Sequence, residues 1–63
     1  MNFIKKYVKK SRLRNALRLR RLIRVNEELI RDYIKLEDYK NAAYGQINLD
    51  ILLKDYEKLK SKL

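Results

Sequence analysis

A single glycine, Gly45, and no proline punctuate the 63 residues of this chain. A fold built from many short strands needs a turn residue at every reversal. This chain is therefore held to long helices with one preferred break. Lys, Arg, Leu, Glu and Ala, all strong helix formers, dominate it. The fold class expected is all-α: a long basic N-terminal helix and a shorter C-terminal helix, forming an antiparallel helical hairpin.

Apolar periodicity sets the expected details. Leu49, Leu52, Leu53, Tyr56, Leu59 and Leu63 recur at the spacing of one helical stripe. Asn48 is placed to cap that helix, with Asp50 in its first turn where the helix dipole favours an anion. A second stripe holds Leu22, Ile23, Leu29, Ile30, Tyr33, Leu36, Ala43 and Tyr44, in which Leu22, Leu29, Leu36 and Ala43 stand seven apart. Gly45 reads as the left-handed residue that ends this helix. The expected organisation is one domain: a basic amphipathic helical segment over 1–25, a central helix with a leucine seam over 26–44, a turn over 45–48 and a C-terminal amphipathic helix over 49–63. The connection makes the last two helices antiparallel neighbours. Leu22, Leu29, Tyr33, Leu36, Leu52, Tyr56 and Leu59 are the candidate core or interface. Asn26 falls on the same seam, where a polar residue fixes register at some cost in stability; an exposed position or a helix cap is the plainer reading. Nothing breaks the helix before Gly45, although the apolar phase slips after Ser11, which allows a bend near residues 10–12. A chain this short covers two apolar stripes poorly by itself, so self-association into a helical bundle is expected.

Charge divides the chain sharply. Residues 1–25 hold ten basic residues and no acid: Lys5, Lys6, Lys9, Lys10, Arg12, Arg14, Arg18, Arg20, Arg21 and Arg24. Residues 26–44 hold three basic and five acidic residues, and 45–63 hold four and three, so the first segment supplies the whole excess over neutrality of a chain whose net charge is +9. Such asymmetry points to a polyanionic partner. Phosphate backbones attract a surface of this kind with little sequence preference, by counterion release. Nucleic acid, DNA or RNA, is the partner expected, with Arg12, Arg14, Arg18 and Arg21 as leading contacts because the guanidinium fork matches phosphate. A second copy of the chain, an acidic protein surface and an anionic membrane surface are the other partners considered. The membrane reading rests on Phe3, Ile4, Tyr7 and Val8 facing Lys5, Lys6, Lys9 and Lys10, an interfacial type of helix.

Enzymatic chemistry has little to stand on. There is no His and no Cys, so Ser11 and Ser61 lack a base, and neither a thiolate nor an imidazole metal site can form. No cofactor and no metal are expected. The carboxylates pair locally, as Glu27 does with Arg31 and Asp50 with Lys54 at i, i+4. The longest apolar run, 51–53, is far below the roughly 20 residues of a bilayer span, and a cytoplasmic location is expected. The basic region departs from the basic leucine zipper, with Arg18 and Leu19 where that family carries paired alanines. A helix-turn-helix reading around Gly45 would give a nearly neutral recognition helix. Small size, abundant Lys and Ile and the absence of Cys suit an accessory or regulatory protein of a phage or mobile element.

Overall fold

The computed structural model describes the backbone of residues 2–63 and side chains from Val8 onward. It is two helices, α1 over Asn2–Lys35 and α2 over Tyr39–Ser61, packed as an antiparallel hairpin. At 1.5 Å per residue the 34 residues of α1 rise about 50 Å. The molecule measures 54 × 14 × 11 Å, so α1 runs the whole length of the rod. It is continuous through residues 10–12 and through Asn26.

The reversal lies at Leu36–Asp38, not at 45–48. Glu37 takes the left-handed conformation, φ 57°. Asp38 N donates to Tyr33 O at 2.8 Å and Glu37 N to Ile34 O at 3.0 Å, the paired bonds of a Schellman ending. Asp38 then starts the next helix: its Oδ1 accepts from Asn41 N at 3.3 Å and its Oδ2 from Asn41 Nδ2 at 2.7 Å. One residue thus closes α1 and caps α2, and the loop needs no glycine. The expected helices over 26–44 and 49–63 are accordingly redrawn. Asn48 and Asp50 sit inside α2 and cap nothing.

Gly45 has no left-handed backbone. It lies within α2, facing α1, where Asn26 Nδ2 donates to its carbonyl oxygen at 2.7 Å. A β-carbon there would stand 2.8 Å from Ile30 Cγ1. Glycine is used to bring two helices together rather than to end one. This contact also fixes the register. Asn26 meets Gly45, Tyr33 meets Asp38 and Arg12 Nη1 reaches Lys62 O at 3.2 Å, all consistent with one unbroken antiparallel alignment.

Buried and half-buried positions in that alignment repeat strictly. On α1 they are Arg12, Ala16, Leu19, Ile23, Asn26, Ile30 and Tyr33. On α2 and its cap they are Asp38, Ala42, Gly45, Leu49, Leu52, Tyr56 and Leu59. Both sets alternate spacings of four and three, the pattern of a coiled-coil seam. Tyr33, Leu52, Tyr56 and Leu59 therefore lie on the seam. Leu22, Leu29 and Leu36 do not: they are 44%, 44% and 76% exposed. Their stripe runs one residue out of phase with the seam. Ala16, Ala42 and Gly45 explain the preference, because small residues allow the close approach that three leucines would hold apart. The buried apolar residues among the described residues are Ala16, Ile23, Ala42 and Leu49, a small core for a folded domain.

Two stability predictions follow from the turn and the seam. Glu37→Gly should raise stability by about 0.5–1 kcal/mol, because glycine carries no Cβ penalty at positive φ, and thermal melting should show it as a shift of a few degrees. An unchanged or lower melting temperature would count against the turn. Gly45→Ala gains about 1 kcal/mol of helix propensity but overpacks Ile30 at a cost of about 1–3 kcal/mol, so a net loss is expected. Ile30→Ala should relieve the clash. In a denaturant-based double-mutant cycle the pair should then be more stable than the two single losses added together.

Candidate nucleic-acid interface

Residues 8–24 of α1 carry Lys9, Lys10, Arg12, Arg14, Arg18, Arg20, Arg21 and Arg24 with no acid between them. All but Arg12 are exposed. Helical rotation of 100° per residue sorts them relative to the seam. Arg20, Arg24, Lys10, Arg21 and Arg14 follow one another around an arc of about 120° on one edge and the back of the helix. Within it Leu17, Arg20, Arg21 and Arg24 line a shallow groove. Along the axis the arc ends where Glu27 and Glu28 join Arg20, Arg24 and Arg31 around a neighbouring depression.

Two of the sequence candidates stand apart from this arc. Arg12 occupies the last seam position of α1, half-buried, with its guanidinium on the Lys62 carbonyl at 3.2 Å. It satisfies an otherwise free carbonyl at the end of α2, where the helix dipole also favours a cation. Arg18, about 40° beyond Arg14, lies on the other edge and lines a groove with Asn15, Leu22, Asp55, Lys58 and Lys62. Lys5 and Lys6, like Phe3, Ile4 and Tyr7, have side chains outside the described residues. Val8 is 40% exposed. The contact between Arg12 and Lys62 places the end of α2 beside residue 12, so the first ten residues of α1 run on beyond it.

The exposed cations of α1, Arg18 included, work against their own helix. Lys10 with Arg14, Arg14 with Arg18, and Arg20 with Arg24 are like charges at i, i+4, each unfavourable by about 0.2–0.5 kcal/mol. Charge also divides the hairpin along its length. The open half, 8–24 with 52–63, carries twelve basic and two acidic residues, and the turn half, 25–51, carries three basic and six acidic.

Other chemistry finds no assembled site among the described residues. Ser61 Oγ donates to Lys58 O at 2.7 Å. No group of three or more Asp or Glu is arranged to hold a metal ion, and no described helix is long and apolar enough to cross a membrane. Comparison with protein-family models, with curated proteins and with solved structures finds no match to this chain.

Self-repulsion on the arc has a measurable consequence. Arg14→Gln should stabilise the hairpin by about 0.4–1 kcal/mol, since it removes two like-charge pairs, and raising the salt concentration should shrink the difference between variant and parent by screening. A destabilised variant in thermal or urea melts would show that Arg14 has a structural partner instead.

Proposed function

We propose that the protein is a small non-enzymatic nucleic-acid-binding protein that lays the basic face of α1 on phosphate backbones with little sequence preference. The observation that carries this reading is the arc of exposed cations over residues 8–24, uninterrupted by any acid and turned away from the seam. Repulsion along such a helix is offset when phosphates replace condensed counterions. Arg14, Arg20, Arg21 and Arg24 are the principal contacts, because guanidinium donors can bridge two phosphate oxygens. Lys9 and Lys10 extend the track as point charges. The hairpin is the support: α2 holds α1 straight and leaves its outer face free.

The test is binding of short duplex DNA and duplex RNA, followed by fluorescence anisotropy over a range of salt. Four phosphate contacts on DNA give a log–log slope of about −3.6, at about 0.9 per contact. Arg20→Gln, Arg21→Gln and Arg24→Gln together should reduce that slope by about 2.7 and leave the helical circular dichroism unchanged. Absence of binding to either duplex at low salt overturns the proposal. Retention of anionic vesicles, or of an acidic protein, by the same face would then identify what the cations serve.

A further inference from the structure

The stripe that the hairpin seam leaves out has its own pattern. Leu22, Val25 and Leu29 are 44%, 48% and 44% exposed, on the edge of α1 that adjoins the arginine arc at Arg14. Leu22 and Val25 line an apolar groove across to Ile51 and Asn48 of α2. Seven residues before Val25 stands Arg18 and seven after it Asp32, each about 10 Å along the axis from Val25 and on nearly the same face. Read in either direction from Val25, the stripe runs apolar and then charged, with opposite signs at its two ends.

We infer that this face binds a second copy of the chain, antiparallel, across a two-fold axis passing near Val25. A two-fold interface needs a surface complementary to itself, in which residue i meets j and j meets i. Rotation about an axis perpendicular to the rod stacks α1 on α1 of the other copy and α2 on α2. Leu22 then meets Leu29 of the other copy, Val25 approaches its own equivalent, and Arg18 meets Asp32, twice in each dimer. Asn48 falls at the same level on α2, with Tyr44 and Ile51 on either side. The charges select this orientation over the parallel one. Parallel hairpins would bring two open halves together, each with twelve basic and two acidic residues, whereas antiparallel hairpins turn them away from each other.

Surface area supports the same occupant. The chain exposes 5868 Å², against about 4300 Å² for a compact monomer of its mass. The excess is larger than the ~800 Å² that each partner contributes to a standard interface. Four helices around one core is also the arrangement that two amphipathic hairpins reach by stacking. Arg20 and Arg24 lie well away from the contact and Arg14 and Arg21 at its margin; the inference rests on the apolar face and its flanking charges, so it stands without the proposed function, and nucleic acid is absent from its test.

Sedimentation equilibrium of Arg18→Asp, of Asp32→Arg and of their equimolar mixture decides it. The parent should dimerise. Each single variant places like charges together twice, and its dimer should dissociate at least ten times more readily. The mixture restores two attractive pairs and should dimerise like the parent. Arg18 and Asp32 of one copy are about 21 Å apart along the helix, so an internal pair cannot produce the rescue. A parent that stays monomeric at several hundred micromolar overturns the inference, and so does a mixture that behaves like its components. A second reading uses the absence of native cysteine: oxidised Val25→Cys should yield a disulfide-linked dimer, whereas Leu17→Cys, in the arginine arc and about 12 Å along the helix from the two-fold axis, should not. Equal cross-linking at both positions also overturns it.

Discussion

Everything in this hairpin depends on how closely α2 approaches α1 at Gly45. The missing side chain leaves the space that Ile30 occupies, and the bared carbonyl accepts from Asn26 at 2.7 Å. Ala42 one turn before it and Ala16 at the far end of the seam continue the same economy of volume. A contact of this type is unforgiving in register. Sliding one helix past the other by a turn would set a larger side chain against Ile30 and leave the Asn26 amide facing apolar atoms, where an unpaired polar group costs about 1–3 kcal/mol. Steric and polar requirements select the same alignment, and it reaches unbroken from the Schellman turn to Arg12 at the open end.

The outline of the fold was legible in the sequence; its hinge was not. Helix-forming composition and the two apolar stripes were enough for an all-α hairpin. Gly45 misled because glycine serves helices in two opposite ways, as a left-handed terminus and as a point of close packing, and the residue type alone does not separate them. The real terminus carries Glu37, which tolerates positive φ only at a cost. Its signal was Asp38 followed three residues later by Asn41, a capping pair, yet the uninterrupted stripe on both sides concealed it. The seam was missed by one residue for a related reason. Leu22, Leu29 and Leu36 make the more apolar stripe, but Ile23, Asn26 and Ile30 suit a neighbour with alanine and glycine on its surface. Hydrophobicity ranks stripes by composition, while packing ranks them by shape.

Once the seam is placed, the remaining surface of α1 separates into two edges of different chemistry. One runs from Arg20 and Arg24 round the back to Arg21 and Arg14, and the other, which meets it at Arg14, bears Leu22, Val25 and Leu29. The concentration of positive charge at the N-terminal end was legible from sequence because composition is independent of fold. Its division was not, since only the seam's phase shows that Arg12 faces α2 and that Arg18 lies on the apolar edge. Arg12 shows how a candidate binding residue can become structural: its position in the repeat puts it at the end of the partner helix, whose free carbonyls it satisfies.

Two exposed edges on so thin a body also connect association with stability. A core of four buried apolar residues among the described ones, two of them alanine, contributes little against the conformational entropy of ordering so short a chain. Any partner that binds only the folded hairpin adds RT ln(1 + [L]/Kd) to its stability. A second copy on the proposed apolar edge and a phosphate backbone on the proposed basic arc act through this same relation, on adjoining parts of the α1 surface. Their effects differ in salt dependence. Counterion release makes the basic edge weaken steeply as salt rises, whereas burial of leucine and valine is nearly indifferent to it, and only the two flanking ion pairs are screened. The folded population at low salt then reports on both edges, and at high salt on the apolar edge and the seam alone.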